Sequence, residues 1–125
     1  MKTRHVLLPA SGLLLIGAAT LSSFAGESDP QRGKEVFARR CAGCHALDSN
    51  KEGPRLRGVL NRKAGAATGF LYSEGLRNAG FTWDESRLNQ WLQNPDAVVK
   101  DTDMEFRLSN PDERAAVIAY LKSSR

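Results

Sequence analysis

The hydrophobic pattern of this chain divides it into two regimes. Residues 6–21 form one apolar run, rich in Leu, Ala and Gly and free of charge. From residue 29 onward, apolar side chains recur at helical spacing between start and stop signals, with little sign of the alternation typical of strands. Asp29-Pro30 is an N-cap and first-turn pair, predicting a helix that carries Gly33, Val36 and Phe37 on into Cys41. Residues 46–72, with Gly53, Pro54, Gly58, Gly65 and Gly69, read as a long loop with few apolar anchors, an unusual length unless a bound group supplies what it packs against. Ser73 can cap a short helix ending at Asn78-Ala79-Gly80, where Gly80 can take the left-handed conformation. Thr82 and Glu85 have capping-box spacing for a helix through Leu88, Trp91 and Leu92. Asn94-Pro95 stops that helix and starts a brief one over residues 96–99. A last helix opens at Asn110-Pro111-Asp112-Glu113, with acids in its first turn as the helix dipole favours, and buries Val117, Ile118, Tyr120 and Leu121. The expected fold class is all-α, with three main helices plus short helices and long loops.

The N-terminal run has the layout of an export leader. Lys2, Arg4 and His5 precede it, and Ser23-Phe24-Ala25 offers a small-x-small cleavage site. As a membrane anchor it is short and broken by Pro9, Ser11 and Gly12, against the roughly 20 apolar residues that a span needs. We therefore place a leader at residues 1–25, with no cysteine at its end for a lipid. The remaining residues 26–125 number 100, enough for one small domain. A chain of that size buries only about two-thirds of its unfolded surface, so a large apolar cofactor would form much of its core. Losing Lys2 and Arg4 with the leader takes the net charge from +4 to +2. The remaining charges are interspersed in sign, unlike the concentrated basic face that nucleic-acid binding requires.

Cys41-Ala42-Gly43-Cys44-His45 has the sequence by which a c-type haem is attached covalently. Cysteines three apart on a helical turn present both sulfurs on one face, where they can add to the two vinyl groups of one porphyrin. His45 then lies beneath the iron as proximal ligand. A structural zinc site needs four Cys or His ligands, and outside this pentapeptide only His5 remains. A thioredoxin-like dithiol belongs in a βαβ unit, and no such pattern occurs here.

The sixth iron ligand decides the chemistry, because an iron with an open position binds gases or peroxide whereas one with two protein ligands passes electrons. Without the leader, His45 is the only histidine and Met104 the only methionine. Met104 lies in the polar stretch Asp101-Thr102-Asp103-Met104-Glu105-Phe106, a poor place for a core gap-filler, and is the candidate second ligand. Its soft thioether raises the reduction potential relative to a second histidine. The expected work is one-electron transfer; the alternative is a haem enzyme or gas binder, such as a weak peroxidase, with an open or labile sixth position.

The chain resembles the class I c-type cytochromes, the soluble monohaem group that includes mitochondrial cytochrome c and its bacterial relatives, over nearly all of residues 30–125. The matching pieces are Gly33-Lys34-Glu35-Val36-Phe37, Gly53-Pro54-Arg55-Leu56-Arg57-Gly58, Gly69-Phe70-Leu71-Tyr72, Phe81-Thr82-Trp83, Leu88-Asn89-Gln90-Trp91-Leu92-Gln93-Asn94-Pro95, Met104 with Phe106, and Val117-Ile118-Ala119-Tyr120-Leu121-Lys122. The resemblance implies one covalent haem c through Cys41 and Cys44, iron ligation by His45 and Met104, and no catalytic residues. It implies that the Pro54 carbonyl accepts the His45 N–H, a contact that fixes ligand orientation and basicity. Tyr72 and Trp83 match residues that hydrogen-bond a haem propionate, and Arg62 matches an arginine that offsets its charge; Trp91, Thr102 and Phe106 complete the cofactor-binding set. Gly33 and Phe37 match the face of the first helix that packs on the last, here at Val117 and Tyr120.

Two departures from the mitochondrial pattern bear on function. Trp91 replaces a tyrosine whose hydroxyl reaches the methionine sulfur, and Leu76 replaces a nearby asparagine, so the polar network beside the sixth ligand is altered. Lysines around the exposed haem edge become Asp96, Ala97 and Asp103. Asp96, Asp101, Asp103 and Glu105 can steer a basic or mostly apolar partner, while Arg39, Arg40, Arg55, Arg57, Arg62 and Lys63 form a basic region elsewhere, partly engaged with propionates. The resulting expectation is a monomeric periplasmic carrier of the respiratory chain or another redox pathway. Its partners are transient redox proteins, a reductase or dehydrogenase donor and an oxidase or other acceptor, with no nucleic acid and no membrane span after leader cleavage.

Overall fold

Local capping chemistry sets most of the helix boundaries in the computed structural model, which describes residues 29–125; the expected leader lies outside the described residues. The Asp29 carboxylate accepts the Gln31 N–H at 2.9 Å and opens α1, Pro30–Arg40. Ser73 Oγ accepts the Leu76 N–H at 3.4 Å and opens the single-turn α2, Glu74–Arg77. Asn78 caps that turn, so Gly80, at φ +72°, reverses the chain two residues beyond the cap.

The next helix, α3, spans Glu85–Gln93 and corrects one expectation. Its N-cap is Asp84, whose carboxylate accepts the Arg87 N–H at 2.7 Å, and not Thr82. Thr82 is held in an isolated antiparallel bridge with Lys63. The neighbouring Trp83 donates its N–H to Arg62 O at 2.9 Å and accepts from Asn61 N at 2.8 Å. The chain therefore stays extended through Trp83, and helix begins at the first short carboxylate free to cap it. The brief helix α4 occupies Pro95–Val98, one residue earlier than expected, because Pro95 itself fills its first position. The last helix, α5, spans Pro111–Ser123, with Asn110 Oδ1 accepting from Asp112 N at 2.9 Å and Glu113 N at 3.2 Å.

α1 and α5 cross at Gly33. A Cβ there would collide with the Ala116 carbonyl oxygen and lie 2.7 Å from Tyr120 Cβ, so glycine is what permits the close approach. Phe37 meets Tyr120 edge-on with ring centroids 5.6 Å apart. Val36, Val117 and Leu121 are buried in the same core, which extends to Leu88, Trp91 and Leu92 of α3. The loop of residues 46–72 is better anchored than its composition indicates. Val59, Ala64 and Ala67 are buried, and Leu47, Leu56 and Leu60 pack half-exposed against the core. Leu56, Val59, Leu60, Ala64 and Ala67 fall at helical spacing, but Gly58, Asn61 and Gly65 take positive φ and interrupt any helix, so the pattern alone does not reveal how they pack.

Candidate functional site

The cysteine pair sits where α1 runs out. Cys44 N and His45 N both donate to Cys41 O, at 3.0 and 2.8 Å, winding the pentapeptide into a turn. Both cysteines are free, Cys41 half-buried and Cys44 exposed. Burial, with Cys44 beside it, pushes the Cys41 thiol up to about 11, so it remains a neutral thiol at physiological pH.

His45 is oriented from two sides. Its Nδ1 donates to Pro54 O at 2.8 Å, and Gly53 lies flat against the ring, where a Cβ would overlap Cε1 and come within 2.7 Å of both nitrogens. Gly53 is itself held by its N–H to Cys44 O at 2.8 Å. Burial lowers the His45 pKa, Lys51 lowers it further, and the Pro54 bond opposes both. The ring is thus neutral with its proton on Nδ1, leaving the Nε2 lone pair for a metal.

Met104 belongs to the irregular segment between α4 and α5. Trp91 of α3 donates its indole N–H to Met104 Sδ at 3.2 Å, and Met104 N approaches Thr102 Oγ1 at 3.4 Å. Upstream, Asp96 holds the turn, with Lys100 Nζ at 3.2 Å from Oδ2 and Asp101 N at 3.3 Å from Oδ1. The Lys100 ammonium, assisted by the Asp101 N–H, keeps the Asp96 carboxyl below the usual carboxylate range. Asp101 takes φ +55°, a left-handed position that a short polar side chain tolerates.

A third group lies between the loop and α3. Tyr72 accepts the Ala67 N–H at 3.1 Å, which leaves its hydroxyl proton to donate elsewhere. Arg62 is half-buried and turns its guanidinium onto Arg55 O at 2.8 Å and Arg57 O at 3.2 Å. It has no carboxylate partner among the described residues, and burial lowers its pKa. Trp83, buried, packs edge-on to Trp91 at 5.2 Å and to Phe81 at 4.9 Å, linking this group to the one around Met104. Phe106 stands 40% exposed beyond Met104. The basic region is more neutralised than expected: Arg39 and Arg40 face Glu113, and Arg57 is paired to Asp48.

These residues fit a haem. Leu47, Leu56, Leu60, Leu76, Phe81, Val98 and Met104 are only partly covered by protein, as the lining of a flat apolar cofactor would be. An imidazole with a free Nε2, a thioether with one hydrogen bond and a second lone pair, and an Arg62–Tyr72 pair suited to an acidic group supply the polar complement. Pro54 was legible from the resemblance; the closeness of Gly53 to His45 was not, because it depends on the path of the loop.

Residues 30–125 match the family described as Cytochrome c. Over 120 residues the chain is 40% identical to a cytochrome c2 of Rhodomicrobium vannielii, covering 91% of this chain and 95% of that protein. Over 99 residues it is 42% identical to a cytochrome c type-1 of Ascaris suum, covering 77% and 88%. Its fold is similar to cytochrome cH from Methylobacterium extorquens, with a TM-score of 0.72 at 40% identity over 76% of this chain and 98% of that one. Ferricytochrome c2 from Rhodopseudomonas palustris gives a TM-score of 0.72 at 36% identity over 78% and 99%. With its attachment sequence at Cys41, Cys44 and His45, the chain belongs to the cytochrome c family, as an electron-transfer protein with one covalently bound haem c.

Proposed function

We propose that this cytochrome is exported with cleavage of residues 1–25 and works in the periplasm as a freely diffusing monomer, taking single electrons from a reductase or dehydrogenase and giving them to an oxidase or other acceptor. When bound, the haem supplies a ferric/ferrous couple. His45 Nε2 and Met104 Sδ would be the two protein atoms that ligate its iron. Pro54 and Gly53 hold the imidazole, and Trp91 donates to the thioether, so both groups would keep their positions when the iron changes oxidation state. Tyr72, Trp83 and Arg62 would receive the propionates, and Thr102 and Phe106 would complete the Met104 side. Two ligands held in this way would suit electron transfer and leave no open position for small molecules. Relatives named cytochrome c2 and cH support the bacterial setting. The observation that carries the reading is the pairing of an imidazole tied to Pro54 O with a lone methionine tied to Trp91 Nε1.

The test is a spectrum of the haem-loaded protein. The ferric form is expected to show a methionine-to-iron charge-transfer band, and the ferrous form to leave carbon monoxide unbound. Met104→Ala is expected to lose the band and bind carbon monoxide. Ready carbon monoxide binding by the parent protein would favour a gas-binding or peroxidase role instead. Recovery of the protein from the periplasmic fraction at monomer size separates the free carrier from a subunit held by a larger complex.

A further inference from the structure

We infer that Arg114 is a positioning residue for the sixth ligand, acting through the irregular segment that leads from Met104 to α5; the inference rests on the proposed ligation by Met104. Arg114 lies in the first turns of α5, where an amphipathic pattern would leave a charged side chain in water, yet it is only 7% exposed. Its guanidinium makes no ion pair among the described residues. Nη1 donates to Leu108 O and Ser109 O, each at 2.8 Å, and Nε donates to Asn89 Oδ1 at 2.8 Å. A buried cation satisfied by carbonyl groups is costly to misplace, because each lost acceptor leaves charge uncompensated in a poorly solvated site.

The partners give this arrangement its function. Leu108 is 3% exposed and is held at both ends of its peptide unit, its N–H donating to Leu92 O at 2.7 Å and its carbonyl receiving Arg114. Leu92 and Asn89 belong to α3, the helix that carries Trp91. One guanidinium therefore ties together the chain leaving Met104, the helix that donates to its sulfur, and the start of α5. Between the buried Val99 and Leu108, only Thr102 and Met104 are half-buried and the other residues are exposed, so beyond the Asp96 contacts to Lys100 and Asp101 the loop has few anchors. Freeing Leu108 would lengthen the unanchored loop and widen the range of positions open to Sδ. Lysine cannot reproduce the restraint, since its single ammonium lacks the planar fork that reaches three acceptors in fixed directions.

The test compares haem-loaded Arg114→Lys and Asn89→Ala with Leu121→Ala, which loosens the α1–α5 core away from the loop. For each protein one measures thermal unfolding, the ferric methionine charge-transfer band, the reduction potential, and imidazole binding to the ferric iron. At a comparable drop in Tm, Arg114→Lys is expected to bind imidazole at least tenfold more tightly than Leu121→Ala, with a weakened band and a lowered potential. Asn89→Ala, which removes one of the three contacts, is expected to fall between the parent and Arg114→Lys. Equal imidazole affinities in the Arg114 and Leu121 variants would overturn the inference and leave ligation by Met104 standing. A parent protein without the band would overturn that ligation and this inference with it. If Arg114→Lys fails to accumulate, Asn89→Ala decides alone, and parental imidazole affinity in it counts against the role.

Discussion

Trp91 shows how far one side chain can reach into the chemistry of the site. An indole N–H donates and cannot accept, so its bond to Met104 Sδ has one polarity and cannot be reversed by a proton shift. With Met104 on the iron, this donation would draw electron density from the sulfur and favour the ferrous state. Trp91→Phe keeps the ring packed on Trp83 and removes the donor. If the bond weighs about 0.5–1 kcal/mol more in the reduced state, an equilibrium redox titration is expected to show a potential lower by a few tens of millivolts. An unchanged or raised potential would count against an electronic role for the indole. This contact was only half legible. The sequence places a tryptophan where relatives have a hydroxyl, but the direction of the N–H depends on how α3 packs against a segment that has no regular structure. Cys41, Cys44 and His45 were readable because their chemistry depends on spacing within one turn. Arg114 was unreadable for the opposite reason, since its acceptors are carbonyls of Leu108 and Ser109 and an amide on another helix.

Helix ends divide in the same way between local and distant causes. Asp29, Ser73 and Asn110 cap the helices that follow them, as their positions indicate. Thr82 does not, because its pairing with Lys63 comes from a segment far back along the chain. The correction is measurable: Asp84→Ala is expected to cost about 1 kcal/mol of unfolding free energy, and Thr82→Ala appreciably less, in denaturant titrations of the haem-loaded protein. The reverse order would restore Thr82 as the cap. Gly33 governs the α1–α5 crossing more severely. Gly33→Ala places a methyl against the Ala116 carbonyl and is expected to destabilise the protein by about 1–3 kcal/mol or prevent accumulation of the loaded form. Full stability in that variant would mean that the two helices can slide apart without cost.

Over the described residues, acids gather around the Met104 loop with Lys100 and Arg107 among them. Asp101, Asp103 and Glu105 are exposed around Met104 and Phe106, with Asp96 tied to Lys100 beside them, while Arg39, Arg40 and Arg57 are already paired with acids. An acidic rim of this kind chiefly governs encounter rate. Electron transfer to a basic partner protein is expected to slow steeply with added salt, and Asp103→Lys to slow it at low salt and flatten the dependence; salt-independent stopped-flow rates in the parent would remove steering. The crossing at Gly33 has a consequence of another kind. Among the described helices α1 packs on α5, so in a chain delivered from its N-terminus this part of the core would close last. Until α5 arrives, the face of α1 at Gly33 would stay uncovered, and the cysteines that follow it would remain accessible. The order of helices along the chain would thus leave an interval in which the cofactor can be joined before folding closes over it.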